Sequence, residues 1–318
     1  MHVYRWDLDR TYLDTDIGSV RALLRHAFET ASEKKNIPGS ATLLRCLTEW
    51  DPSSKVTIVS GSPTQLRAVL EEKLALDGVR FDSLILKDSL ANLKRGRLRA
   101  VRGQIGYKLP QLFKQRVGLG PPVRETLFGD DWEVDALVYS LYADAIAGRL
   151  TEGDLARVME AGGAYDDAIR EALRSLRQIG RADVVEDIFI HCDRGTPTSQ
   201  FRALGPRVVP VFSWFQAAVL LWARGRLPPP AVAQVARACT DEAHISEIGL
   251  GGLAQDISRR GQISRDRMKE LFSSPGFESM RPSLDAALDR LGEYSAPPTD
   301  PNTRDYHGFL RANAQRDE

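Results

Sequence analysis

Two aspartates one residue apart, Asp7 and Asp9, close the short apolar run VYRW, and Thr11 follows two residues on. A second apolar run, VTIVS, ends in a hydroxyl at Ser60, followed by Gly61. Lys108 stands just before LPQLF, and TLFG ends in Asp130 and Asp131, with Asp135 a helical turn further on. Carboxylates are the hard oxygen ligands that a divalent cation such as Mg²⁺ takes. A hydroxyl, a lysine and backbone amides are donors for phosphate oxygens, and an ionised carboxylate can attack phosphorus. The set as a whole is the equipment needed to hold Mg²⁺, bind a phosphate and displace its ester.

These residues are useful together only if the fold gathers them. VYRW and the β-branched run KVTIVSG read as buried strands, as do FDSLILK, ETLFG, VVEDIFIHC and VVPVF. Helical spacing lies between them: from Ile17 to Ser32, in SATLLRCLTEW after Pro38 and Gly39, in SPTQLRAVLEEKL, in LPQLFKQRV and in DALVYSLYADAIAG. Ser62 fits an N-cap, with Pro63 at the first helical position and Gln65 completing a capping box. Strands alternating with helices over about 225 residues predict an α/β fold, a doubly wound parallel sheet. In such a sheet ligands bind off the carboxyl ends of the strands, where all the polar residues above fall.

In order and element type these pieces resemble the haloacid dehalogenase superfamily of phosphatases. DLDRT (7–11) resembles its first motif, VTIVS (56–60) its second, Lys108 its third and FGDDWEVD (128–135) its fourth. The stretch VSGSPTQL, then Lys108, then GDDWEVDALVY is most similar to the phosphatidate phosphatase catalytic domain group. The resemblance covers roughly residues 1 to 228. It implies a Rossmannoid core, with Asp7 as nucleophile forming an aspartyl-phosphate and Asp9 as general acid and base. It implies Mg²⁺ on Asp7, the Asp9 carbonyl and Asp130, and substrate phosphate on Ser60, the Gly61 amide and Lys108. Thr11 supports the first motif, and Asp135 orients Lys108 or a metal-bound water, a role Asp131 could share. Lys108 is preferred over Lys87, Lys94 and Lys114 because it opens a helix after a loop. Asp131 and Glu133 also fit an acidic first helical turn, where the helix dipole favours them. One departure is Arg5, a cation inside a strand that is usually fully apolar.

Composition bounds what remains. An apolar share of 42% and a charged share of 27% describe an ordinary globular chain, and a formal net charge of zero gives no field drawing it to nucleic acid or an anionic membrane. Three widely spaced cysteines, Cys46, Cys192 and Cys239, suggest reduced thiols, neither a disulfide frame nor a zinc site, and a cytoplasmic location. The longest apolar run, 208–223, is interrupted by Pro210, Ser213 and Gln216 and is too short for a bilayer span. His191, Cys192 and Asp193 close a strand on which neighbours face opposite sides, so a structural role is expected. GLGGL (249–253) lacks a preceding strand and is no dinucleotide fingerprint. The stretch 87–108 holds seven Lys and Arg and no acid beyond Asp88; it either grips a phosphorylated substrate or is a solvated loop.

The expected organisation is a phosphatase core over 1–228, with a basic insert near 87–107 and a helical insert near 151–180. A helical extension follows over 229–296, then a flexible tail over 297–318. The expected activity is Mg²⁺-dependent hydrolysis of a lipid or small-metabolite phosphomonoester. A nucleic-acid-end phosphatase or phosphotransferase of the same fold, and a non-catalytic scaffold, are the alternatives.

Overall fold

The computed structural model of the chain describes residues 1–15, 29–88, 103–290 and 304–315. The described elements run β1 (His2–Trp6), α1 (Ser40–Trp50), β2 (Lys55–Pro63), α2 (Arg67–Leu76), β3 (Ser83–Lys87), α3 (Ile105–Arg116), β4 (Arg124–Asp130) and α4 (Asp135–Ile146). They continue with α5 (Glu152–Ala161), α6 (Asp166–Leu176), β5 (Val185–His191), β6 (Val208–Val211), α7 (Trp214–Ala223), α8 (Pro229–Ala243) and α9 (Glu247–Arg259). Last come α10 (Arg265–Phe272), α11 (Arg281–Asp289) and α12 (Tyr306–Ala314). The helix expected from Ile17 to Ser32 and the basic stretch lie largely outside the described residues.

The strands form one six-stranded parallel sheet in the order β3-β2-β1-β4-β5-β6, flanked by helices in a Rossmann-like, doubly wound α/β fold. A sheet covered on both faces needs near-continuous apolar strands. Val56, Ile58, Val59, Leu127, Phe128, Ile188, Phe189 and Ile190 are accordingly all buried, and Trp6 stacks on Phe128 with ring centroids 4.1 Å apart. The chain lays down β1, β2 and β3 in one direction, then returns to place β4 on the other side of β1. The reversal leaves a crevice at the carboxyl ends of β1 and β4, where such folds bind ligands.

Arg5 does not open the strand. It is buried and donates two hydrogen bonds to Glu125 of β4, Nε at 2.8 Å and Nη2 at 3.0 Å. Glu125 also accepts from Arg116 Nη1 (2.9 Å) and the Tyr142 hydroxyl (2.7 Å). Burial alone would raise the Glu125 pKa, but Arg5, Tyr142 and Arg116 together hold its carboxyl below the usual range.

The chain divides into a unit of 1–35, 53–210 and 300–318 and a second of 36–52 and 211–299, where the sequence suggested a core over 1–228. Two further expectations are corrected below. In the second unit α1 packs on α7 and α8 with Leu43, Leu44 and Leu47 buried, and Glu242 of α8 accepts from the Gly39 amide at 2.9 Å. Helical periodicity shows that α1 has an apolar face but not which core receives it. The segment expected to be a loose tail contains α12. Asp305 caps it, and the Tyr306 hydroxyl (2.5 Å) and Arg304 Nε (2.6 Å) donate to the buried carboxylate of Asp144 in the first unit. Ser62, finally, is no helix cap. β2 continues through Pro63, a 3₁₀ turn spans Thr64–Leu66, and α2 begins only at Arg67. No described helix is long and apolar enough to cross a membrane.

Candidate active site

Asp7 is the first residue past β1. Its amide donates to the Phe128 carbonyl of β4 at 3.0 Å, extending the ladder by one step, and its side chain is wholly buried. The chain then turns back, with the Tyr12 and Leu13 amides both on the Leu8 carbonyl. Arg10 sits in the left-handed region at φ 59°, a conformation uncommon for a residue with a side chain. Thr11, buried beneath this turn, donates to Asp130 Oδ2 at 3.3 Å.

At the end of β2 the register against β3 shifts between Ser60 and Pro63. This irregularity turns Ser60 and Ser62 toward one acceptor: their hydroxyls donate to Asp9 Oδ2 at 3.2 and 2.7 Å, and the Ser62 amide donates to Ser60 Oγ at 2.9 Å. Asp9 is therefore held by hydroxyls, apart from the ammonium that addresses Asp7. Gly61, between the two serines, lies against Gln104: a Cβ there would come within 2.6 Å of the Gln104 amide nitrogen.

α3 begins at Ile105, three residues before Lys108, which therefore lies in its first turn and not at its opening. The fully buried Lys108 Nζ reaches three carboxylates: Asp7 at 2.9 Å, Glu133 at 2.7 Å and Asp135 at 2.5 Å. At the end of β4, Asp130 Oδ1 accepts from the amides of Trp132 (2.7 Å) and Glu133 (2.9 Å), which folds the following loop over it. Gly129 is required by close approach, because a Cβ there would fall 2.6 Å from the Asp135 side chain.

The two acids left unranked by spacing separate cleanly. Asp135 holds Lys108, whereas Asp131 accepts from the amides of Asp193 (2.9 Å), Arg194 (2.9 Å) and Thr196 (3.1 Å) and pins the loop after β5. Asp131 does not share the lysine. Glu133 was missed as a member of the site. An acidic first turn explained it equally well, and the one available signal was its place three residues after Asp130, within a loop that Asp130 caps. His191 is buried at the end of β5, where burial lowers its pKa.

Asp7, Asp130, Glu133 and Asp135 each offer an oxygen within 4.8 Å of the others. Four carboxylates around one ammonium leave three negative charges in excess if all ionise, which no buried site tolerates without a counterion or protons. Burial, which outweighs the attraction of Lys108, pushes Asp7 well above the usual carboxylate range. Burial and the neighbouring Asp135 and Glu133 do the same to Asp130. Lys108, despite its burial, is pulled above its ordinary value by Asp135, Asp7 and Glu133. Among the described residues, no hydrogen-bond donor other than the ammonium addresses Asp7, and Asp135 Oδ2 has no partner. Free oxygen lone pairs, surplus negative charge and all-oxygen ligands fit a hard divalent cation. The cluster could thus hold a metal ion.

No protein-family model, curated protein or solved structure matches the chain.

Proposed function

We propose that the protein is a phosphomonoesterase of the haloacid dehalogenase type, dependent on Mg²⁺ and acting through an aspartyl-phosphate on Asp7. The observation that carries this reading is the division of labour between two neighbouring carboxylates. Asp7 is buried among the metal-capable acids and faces Lys108 at 2.9 Å, while Asp9 stands aside on the hydroxyls of Ser60 and Ser62.

Asp7, Asp130, Glu133 and Asp135 would hold the cation, which supplies neutralisation of phosphoryl and carboxylate charge. Ser60, the Gly61 amide and Lys108 bind the phosphoryl oxygens. A carboxylate oxygen of Asp7 attacks phosphorus as the bond to the leaving oxygen breaks, and Asp9 gives that oxygen a proton. Asp9 then takes a proton from the water that attacks the aspartyl-phosphate, returning free Asp7 and inorganic phosphate. Asp135 keeps Lys108 aimed at Asp7 throughout.

The test is hydrolysis of an aryl phosphate. Turnover should require Mg²⁺, stop with a chelator, and fall by at least about 10³-fold in Asp7→Asn, the scale on which loss of a nucleophile acts. A folded, metal-loaded wild-type protein that is silent across lipid, sugar, nucleotide and nucleic-acid phosphates would replace this reading with that of a scaffold.

A further inference from the structure

Two hydroxyls hold the Asp9 carboxylate, and they are not equivalent. Ser62 Oγ donates at 2.7 Å and Ser60 Oγ at 3.2 Å, both to Oδ2. Among the described residues no donor addresses Oδ1. Ser60 is buried, whereas Asp9 and Ser62 are half-buried. The backbone fixes where Ser62 can reach. It lies in β2 just before Pro63, which pairs with Lys87 of β3, and a residue that precedes proline is confined to extended conformations. Its amide donates to Ser60 Oγ at 2.9 Å, which occupies a lone pair of that hydroxyl and orients it.

A serine hydroxyl has one proton to donate. If Ser60 binds a phosphoryl oxygen, its proton cannot stay on Asp9, and the longer of the two bonds is the one given up. We propose that Ser62 is the positioning residue of the general acid: it alone holds Asp9 once Ser60 has turned its hydroxyl to the substrate phosphate. The inference rests on the phosphatase reading. Oδ2 accepts from Ser62 whether Asp9 is a carboxylate or a carboxylic acid, provided the transferable proton sits on Oδ1. The grip therefore persists while Asp9 protonates the leaving oxygen and while it takes a proton from water. Ser62 acts only through Asp9, since among the described residues its hydroxyl bonds to no metal-capable acid.

The experiment uses two aryl esters of similar size. Phenyl phosphate releases a basic oxygen that needs a proton, and 2,4-dinitrophenyl phosphate releases a weakly basic one that does not. The readout is the ratio of their kcat/KM values, phenyl over dinitrophenyl, with Mg²⁺ present and folding of each variant checked by circular dichroism. Ser62→Ala should lower this ratio by about tenfold or more, a part of what general acid catalysis supplies. Ser62→Thr returns a hydroxyl and should recover most of it. Ser60→Ala should slow both esters together and leave the ratio unchanged, because both carry the same phosphoryl group. With Asp9→Asn already in place, Ser62→Ala should lower the ratio no further, as expected of two residues acting as one unit. A Ser62→Ala loss that is equal on both esters, or that persists undiminished beside Asp9→Asn, overturns the positioning role and leaves the phosphatase reading standing. Wild-type silence toward both esters overturns both.

Discussion

Lys108 Nζ lies 2.9 Å from Asp7 Oδ1, and both side chains are fully buried. The contact joins the end of the central strand to the first turn of a helix about a hundred residues later, and it is the only cationic contact of the Asp7 carboxylate among the described residues. Removing the cation should therefore cost more than binding energy. Lys108→Met leaves four acids without a counterion and should destabilise the metal-free protein by about 3–5 kcal/mol. Thermal melts with and without Mg²⁺ check this, and the deficit should shrink when the metal is present.

Metal affinity should depend on pH in a definite direction. The folded-state pKa values of Asp7 and Asp130 are raised above 3.8, so their protonated forms favour the metal-free fold. That contribution is fully present below the ordinary value and is lost as pH rises through the raised one. Divalent binding displaces those protons, so the apparent Kd should fall as pH rises across this window, by roughly tenfold per unit for each proton released. Calorimetric titration with Mg²⁺ in buffers of different ionisation enthalpy reads the released protons directly.

Glu125 shows the opposite sign. Its folded-state pKa lies below 4.5, so its ion pairs stabilise the fold above that value, and the contribution is lost as pH falls through the depressed one. Glu125→Gln leaves Arg5 and Arg116 buried without their anion and should cost about 3–5 kcal/mol near neutrality. Denaturant midpoints at pH 7 and pH 4 check both parts, and the gap between variant and wild type should narrow at the lower pH.

Asp131 and Asp135 should separate by experiment as they do in space. Asp131→Ala frees three amides of the loop after β5 and should reduce kcat by about 10–100-fold through lost positioning, with Mg²⁺ affinity little changed. Asp135→Asn removes a Lys108 partner and a metal-capable carboxylate and should weaken Mg²⁺ as well as turnover. Parallel titrations and rate measurements on the two variants discriminate them.

The sheet was legible because most of its strands read as short apolar runs, and β1, β2 and β4 lead into the polar residues of the site. Asp7, Lys108, Asp130 and Asp135 do meet. What resisted reading was whatever depends on a distant partner. Ser62 carries every local mark of a cap, yet the register shift in β2 keeps it in the strand and turns it onto Asp9. Glu133 looked like dipole decoration until the Asp130 carboxylate folded its loop over Lys108. α1 has an ordinary helical pattern and the segment of α12 reads as a polar tail, and only long-range packing assigns them to their units.

Arg5 sets a condition on the order in which the sheet can assemble. A growing chain that has laid down β1 and β2 holds a guanidinium in the middle of its first strand, with no anion yet made to meet it. Sealing that charge from water is unfavourable until Glu125 arrives with β4, about 120 positions later. The β1–β2 pair should therefore not settle until β4 joins it, and the crevice at its end should form together with that strand.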